Sequence, residues 1–242
     1  MILPIESNKK QEIGDIITAV VCPLGFVVLL WIIHFIGRNT SFDLAELGLQ
    51  PLNFKGLIGI LTAPLIHIDF DHIFSNSVSF FVIGFGLCFL YKRKSIPIFF
   101  FIYLTSGLWG WFFARGGYHI GASGVIYGMF FFLVTSAIIK WEKRTMAFSL
   151  LITFLFGAIV WGFFPVFFPH RNISWELHTT GAVSGIVAAF YFRKTGPQKE
   201  IPLEDEEDDD EEDENPYWNV SISTSHKIPV SSAETNNQIL PE

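Results

Sequence analysis

Residues 120–139 read IGASGVIYGMFFFLVTSAII, and this stretch decides the fold class of the chain. It holds no charged residue, and its 20 residues are enough for a helix to cross the hydrocarbon core of a bilayer. Over the whole chain, 50% of the residues are hydrophobic and only 16% are charged, whereas soluble domains contain about 25% charged residues. We therefore predict an all-α polytopic membrane protein.

Five further uncharged stretches of similar character accompany this one. Together they predict a bundle of six transmembrane helices at about 16–37, 73–91, 96–114, 120–139, 145–169 and 177–192. Continuous apolar runs favour helices, because the strands of an outer-membrane barrel alternate apolar and polar residues. The sixth stretch is the shortest, but the small residues between Gly181 and Ala189 are typical of a helix packed inside a bundle.

The positions of the basic residues predict how the chain crosses the membrane. Lysines and arginines cluster on alternate connections, at 9–10, 92–94, 140–144 and 193–194, while four lie on the other side, namely Arg38, Lys55, Arg115 and Arg171. The positive-inside rule then places both termini in the cytoplasm and the starts of the second, fourth and sixth helices at the outer face. We expect a multi-pass protein of a bacterial cytoplasmic (inner) membrane.

Composition divides the chain into three parts. We expect a cytoplasmic N-terminus at 1–15, the six-helix domain at 16–194 and a tail at 195–242. Within the domain, residues 39–66 mix leucines with charged residues and prolines, which indicates an interfacial segment with short helical pieces or a mere spacer. The tail contains an unbroken acidic run at 204–214, so we expect it to be disordered and solvated, with a docking segment or a cation buffer as the alternative.

Three polar side chains occupy corresponding ends of predicted helices: His72, Ser123 and His178. Asn76 follows His72 by four residues and Tyr127 follows Ser123 by four, so each pair shares one helix face. Each residue has an ordinary structural interpretation on its own, as a packing serine, an interhelical contact or an interfacial histidine. Because polar groups inside a bilayer are costly, their joint occurrence at one depth favours a functional site.

Glycines provide a way for two of these side chains to meet. Gly124 and Gly128 form a small-residue stripe on the fourth predicted helix, and Gly181 and Gly185 form another on the sixth. Such stripes allow two helices to approach closely. If the stripes face each other, the serine and the histidine at the starts of these helices meet.

A serine and a histidine in contact suit acyl-transfer chemistry. A serine hydroxyl becomes a good nucleophile when a positioned base takes its proton, and a neutral imidazole does this near neutral pH. The backbone N–H of Ser123, free at a helix start, would stabilise the oxyanion together with His72 and Asn76. Glu176 lies two residues before His178, but adjacency in sequence does not aim its carboxylate at the ring, so we do not expect it to orient the base.

The remaining histidines have structural interpretations. We expect His67 to support the loop before the second helix, and three others to lie at the interface, namely His34, His119 and His170. A metal site needs three or four convergent ligands. The histidines and aspartates within 67–72 lack a matching distal pair, so we predict neither a metal nor another cofactor.

These residues resemble the rhomboid family of intramembrane serine proteases. The matching blocks are His67-x4-His72-x3-Asn76, Gly121-Ala122-Ser123-Gly124 with Tyr127, and His178-x2-Gly181-x3-Gly185. They follow the family in order, topology and spacing over about 16–194. The resemblance implies that Ser123 is the nucleophile and His178 the general base of a dyad. It also implies that His72, Asn76 and the Ser123 N–H form the oxyanion hole, and that Tyr127 stacks on His178.

The resemblance also implies a function. The family cleaves transmembrane proteins near their membrane boundary without a cofactor, so we expect a serine-type endopeptidase that works in the lipid bilayer and not on nucleic acid. Many relatives carry a Trp-Arg pair in the first loop, which residues 39–66 lack. Two alternatives remain: a catalytically inactive rhomboid-like protein that binds membrane clients, and a small transporter with a proton relay through His72, His178 and Glu176.

Overall fold

The computed structural model describes residues 4–164, 166 and 174–199, with side chains from residue 9 onward. Seven α-helices form in these residues: α1 (Pro4–Arg38), α2 (Gly59–Thr62), α3 (Phe70–Tyr91), α4 (Ser95–Phe113), α5 (Ser123–Lys140), α6 (Lys143–Phe156) and α7 (Trp175–Tyr191). Helix α2 is a single turn and the other six are long. The acidic run at 204–214 and His170 lie outside the described residues.

Helix length and composition are those of a membrane-spanning protein. Four stretches of the described residues are long and apolar enough to cross a bilayer, namely Lys9–Arg38, Phe70–Phe113, Ser123–Lys140 and Lys143–Phe163. The second of these stretches contains both α3 and α4. Helix α7, with 17 residues, lies at the lower end of the length that a spanning helix needs. The predicted all-α bundle of six membrane helices is thereby confirmed.

The outward surface of α1 is suited to lipid. Large apolar side chains remain exposed along this helix: Val21, Leu24, Val28, Ile32 and Phe35. Lipid tails are as apolar as leucine, so a face of this kind is stable against acyl chains. In water the same continuous apolar surface would promote aggregation.

Helix α5 lies at the centre of the bundle. It contacts α3, α4, α6 and α7, and four of its side chains are almost completely buried, namely Ile126, Met129, Phe132 and Leu133. A helix that is apolar on all faces is typical of a bundle interior. Since Ser123 is the first residue of α5, this central helix places the serine at one end of the bundle interior.

The two glycine stripes face each other across the contact between α5 and α7. A Cβ atom on Gly181 would overlap the carbonyl oxygen of Gly124, and one on Gly185 would overlap the carbonyl oxygen of Gly128. Backbone therefore lies directly against backbone, at a separation that no larger side chain allows. This approach brings the first turns of the two helices together.

The boundaries of three helices differ from the predicted spans. Helix α1 begins at Pro4 rather than near residue 16, because the polar residues that precede the apolar run continue the helix. Helix α5 begins at Ser123 rather than at residue 120. The delay follows from Gly121, whose φ of 111° is incompatible with a right-handed helix.

Helix α6 ends at Phe156, well before the predicted limit at residue 169. A 3-10 segment, Gly157–Phe163, continues the chain. Glycine weakens a helix, and the sequence places Pro165 just beyond this segment. Because the α-helical ladder stops here, backbone carbonyls of the 3-10 segment become available to partners elsewhere in the bundle.

The connection at 39–66 contains short helical pieces and packs against the bundle. Leu49 is buried, and its backbone exchanges two hydrogen bonds with His119, at 2.9 and 2.8 Å. Trp111 of α4 donates its indole N–H to the carbonyl of Asn53 at 3.0 Å. The connection is therefore fixed to α4 and to the loop that leads into α5, and it is more than a spacer.

Candidate active site

Ser123 and His178 are in hydrogen-bond contact. The Ser123 Oγ lies 2.9 Å from Nε2 of His178, although the two residues are 55 positions apart in the chain. The contact follows from the close approach of α5 and α7, since the serine is the first residue of α5 and the histidine lies in the first turn of α7. A nucleophile and a base within this distance meet the geometric requirement for proton transfer.

A backbone carbonyl defines the tautomer of His178. Its Nδ1 lies 2.9 Å from the carbonyl oxygen of Gly162, in the 3-10 segment after α6. A carbonyl only accepts hydrogen bonds, so Nδ1 carries the proton and donates it. The Nε2 atom is then left with a lone pair that accepts the hydroxyl proton of Ser123.

Tyr127 fixes the plane of the imidazole. Its ring stacks on the His178 ring with centroids 4.1 Å apart and planes 10° apart. The Tyr127 hydroxyl donates to the carbonyl of Ile159, which ties the tyrosine to the same 3-10 segment. Both rings are buried, so the imidazole is held on its edge by Gly162 and on its face by Tyr127.

His72 and Asn76 converge on the turn before Ser123. A Cβ atom added to Gly121 would lie 2.8 Å from Nε2 of His72 and 3.7 Å from Nδ2 of Asn76. Only glycine therefore leaves room for these two side chains beside the backbone. The Nδ2 group of Asn76 is buried and has no hydrogen-bond partner among the described residues, so it is a donor that awaits an acceptor.

His67 supports the same turn from behind. Its Nε2 accepts a hydrogen bond from the N–H of Ala122 at 3.4 Å, and the N–H of Gly121 donates to the carbonyl of Ala63 at 2.8 Å. Burial, together with the nearby His72, lowers the pKa of His67 to about 3. A neutral ring is what an acceptor of a backbone N–H requires. These contacts hold the backbone that presents Ser123.

Glu176 takes no part in orienting the imidazole. Its Oε1 lies 3.5 Å from Nε of Arg115, while the two ring nitrogens of His178 face Gly162 and Ser123. Two histidines interpreted as interfacial have specific contacts in the structure. His119 contacts Ser174 and the carbonyl of Arg115, and Nδ1 of His34 lies 3.3 Å from the carbonyl oxygen of His67.

Among the described residues, no three or more histidine, cysteine, aspartate or glutamate side chains come together in a way that would hold a metal ion. The contacts described above join a serine, a histidine and groups that position them or offer hydrogen-bond donors.

Comparison with known families identifies the fold. Residues 55–195 match the rhomboid domain, which is more than half of the chain. The chain belongs to the rhomboid family. The matched region contains the serine turn, His72, His178 and the 3-10 segment, so the contacts of Ser123 and of the His178 ring lie inside the rhomboid domain.

Mycobacterial proteins are similar to this rhomboid. An uncharacterized protein of Mycobacterium bovis is 31% identical over 173 residues, which cover 69% of this chain and 72% of the relative. A Mycobacterium tuberculosis protein has the same identity and coverage. A Mycobacterium leprae protein is 28% identical over 187 residues, or 73% of this chain and 74% of the relative. All three relatives are described as uncharacterized, so they indicate no substrate.

Family membership confirms part of the sequence-based interpretation. The rhomboid family is a family of intramembrane proteases, and this rhomboid is an integral multi-pass protein whose surroundings are a lipid bilayer. Sequence reasoning missed the carbonyl of Gly162, because the residue lay inside a predicted membrane span. The two glycines at 157 and 162 and the proline at 165 were the signals that this span is interrupted.

Proposed function

We propose that this rhomboid is a serine endopeptidase that cleaves transmembrane proteins near the outer boundary of the membrane. Ser123 is the nucleophile and His178 is the general base. The observation that carries the proposal is the 2.9 Å contact between Ser123 Oγ and Nε2 of His178. The other ring nitrogen, Nδ1, carries the proton and donates it to the Gly162 carbonyl, so Nε2 has a free lone pair. A histidine in this tautomer is ready to accept the hydroxyl proton.

The reaction begins with attack of Ser123 Oγ on the carbonyl carbon of the scissile peptide bond. A new C–O bond forms while the hydroxyl proton moves to Nε2 of His178, and the substrate oxygen becomes an oxyanion. When the intermediate collapses, the C–N bond breaks and the leaving amine takes the proton from Nε2. A water molecule, deprotonated by the same Nε2, then hydrolyses the acyl ester and restores the Ser123 hydroxyl.

The oxyanion requires hydrogen-bond donors that are already in place. The backbone N–H of Ser123 belongs to the first turn of α5, where N–H groups have no partner within the helix. Asn76 contributes the buried Nδ2 donor, and His72 lies beside it against Gly121. In this proposal the three groups donate hydrogen bonds to the oxyanion beside the nucleophile, as the stabilisation of a tetrahedral intermediate requires.

The position of Ser123 along the bundle determines where a substrate would be cut. Ser123 opens an 18-residue spanning helix, so it lies near one end of the membrane crossing. Charge asymmetry between the connections supports the proposal that this end faces outward. A substrate helix must unwind there, because a peptide bond within a helix has its carbonyl hydrogen-bonded in the ladder.

The proposal is tested with purified protein in detergent and a defined transmembrane substrate. Cleavage is expected for the wild type and is expected to be lost in Ser123→Ala and in His178→Ala. Ser136→Ala, which changes another buried serine of the same helix, is the matched control and should cleave normally. Cleavage that persists in either dyad variant contradicts the proposal. Absence of cleavage by the wild type, with retained binding of the substrate, favours the client-binding alternative.

A further inference from the structure

Helix α7 lacks the usual side-chain cap at its N-terminus. Ser174 occupies the N-cap position, but its hydroxyl makes no hydrogen bond to the first turn of the helix. The hydroxyl instead lies 2.9 Å from Nδ1 of His119, which belongs to the loop between α4 and α5. A contact with another part of the bundle thus replaces the local cap at the helix end that carries His178.

The tautomer of His119 shows the direction of this hydrogen bond. Its Nε2 lies 2.9 Å from the carbonyl oxygen of Arg115 and must donate to it. Nδ1 is then the acceptor, and the Ser174 hydroxyl donates to it. His119 is 3% exposed, so this hydrogen bond between the loop and α7 is shielded from water.

A second contact joins the same two elements. Arg115 opens the loop, and its Nε lies 3.5 Å from Oε1 of Glu176 in the first turn of α7. The Glu176 side chain is 7% exposed and the Arg115 side chain is half exposed. Glu176 also places negative charge in the first turn of a helix, where the helix dipole favours it.

The loop that makes both contacts also presents the nucleophile. After His119, the chain passes through Gly121, whose N–H is fixed to Ala63, and reaches Ser123 at the start of α5. The backbone of His119 is itself paired with Leu49. The loop between α4 and α5 therefore contacts the N-terminal end of α7, which carries His178. The same loop continues into the N-terminal end of α5, which carries Ser123.

We propose that Arg115, His119, Ser174 and Glu176 form a clamp that sets the position of His178 relative to Ser123. The four are positioning residues, since none of them contacts the reacting atoms. The glycine stripes bring α5 and α7 together, and the dyad also needs a restraint against sliding of the two helices along their axes. The clamp supplies that restraint at the end where the dyad lies. This inference rests on the proposed function.

The clamp is tested by steady-state cleavage of a transmembrane substrate by Glu176→Gln and Arg115→Gln. Because a displacement of about 1 Å can cost roughly 100-fold in rate, kcat is expected to fall by about 10-fold to 100-fold. KM should stay near the wild-type value, since substrate contacts are unchanged. Arg115→Lys, which keeps the charge, should recover most of kcat, and the double Gln variant should lose little more than either single variant.

Two further variants separate positioning from general stability. Asp15→Asn removes another ion pair, to Lys92 at 2.9 Å, far from the dyad along α1, and kcat should not change. Ser174→Ala removes only the contact with His119, and kcat should fall while the thermal unfolding midpoint stays close to that of the wild type. Normal kcat in both Glu176→Gln and Ser174→Ala overturns the clamp. So does a loss of kcat matched by a similar loss in Asp15→Asn.

Labelling with a serine-reactive fluorophosphonate distinguishes failure of the clamp from failure of the proposed function. If the wild type is labelled at Ser123 and Glu176→Gln is labelled equally fast, the dyad stands and the clamp is wrong. If the wild type is neither labelled nor active, both proposals are wrong. Slower labelling of Glu176→Gln than of Asp15→Asn supports the clamp.

Discussion

Three groups contact the imidazole of His178, and together they fix its tautomer, its ring plane and the partner of its Nε2 atom. Nδ1 donates to the Gly162 carbonyl, which fixes the tautomer. The Tyr127 ring stacks on the imidazole and fixes its plane, and the Ser123 hydroxyl is hydrogen-bonded to Nε2. The partner of Nδ1 is a neutral carbonyl dipole, whereas many serine proteases place a buried carboxylate at this nitrogen. This partner fixes the tautomer without placing a charge inside the membrane, where a charge is costly.

Asn76 provides a test at the scale of one residue. Asn76→Ala removes the buried Nδ2 donor beside Gly121, and kcat is expected to fall by roughly 100-fold to 1000-fold, as for other oxyanion donors. Ser75→Ala is the matched control on the same helix, because this exposed hydroxyl donates only to the carbonyl of His72 at 3.1 Å. A kcat for Asn76→Ala equal to that of Ser75→Ala would exclude Asn76 from the oxyanion site.

The close packing of helix α5 against helix α7 depends on glycines. The stripes of Gly124 with Gly128 and of Gly181 with Gly185 allow backbone to lie on backbone, and this contact aligns the first turns that carry the dyad. The arrangement is sensitive to volume, since neither partner is a flexible side chain that can move aside. Packing of the two helices and the Ser123–His178 contact are therefore linked in this rhomboid.

Gly181→Ala tests that link at the scale of the element. The new methyl group would overlap the Gly124 carbonyl, so α7 must shift, with an expected loss of about 1–3 kcal/mol in unfolding free energy. Fluorophosphonate labelling of Ser123 should slow as well. Gly25→Ala in α1 is the control, because a Cβ there has no atom within 4 Å. Similar thermal unfolding and labelling of the two variants would show that the stripe is not needed.

Sequence patterns could predict the helices and the side chains of the site, but not all of its partners. Uncharged runs and small-residue stripes are periodic features, and the motifs around His72, Ser123 and His178 are local in the chain. The carbonyl of Gly162 could not be predicted, because any residue offers a carbonyl and only the interruption of α6 exposes this one. The ion-pair partner of Glu176 could not be predicted from the sequence either, because Arg115 lies in the loop between α4 and α5, far from Glu176 in the chain.

At the scale of the whole molecule, buried polar contacts lie at both ends of the bundle. The dyad, the clamp and the connection at 39–66 lie together at the end where α5 and α7 begin. At the opposite end, Lys140 donates to the Tyr91 hydroxyl at 3.1 Å and to the carbonyl of Thr195. These contacts attach the segment after α7 to the bundle, independently of the site.

Truncation after residue 199 tests whether the acidic tail contributes to the reaction. Because the described site lies entirely within residues 4–199, the shortened protein is expected to keep the wild-type kcat and KM on a transmembrane substrate in detergent. Its thermal unfolding midpoint should also be unchanged. A change in KM alone would indicate that the tail takes part in docking the substrate.

The central claim is that Ser123 is a nucleophile activated by His178. Peptide mass spectrometry of the protein after reaction with a fluorophosphonate tests this claim most directly. We expect one phosphonate adduct on Ser123 in the wild type, no adduct in Ser123→Ala, and strongly reduced labelling in His178→Ala. An unmodified Ser123 in the wild type, or equally fast modification of Ser123 in His178→Ala, would contradict it.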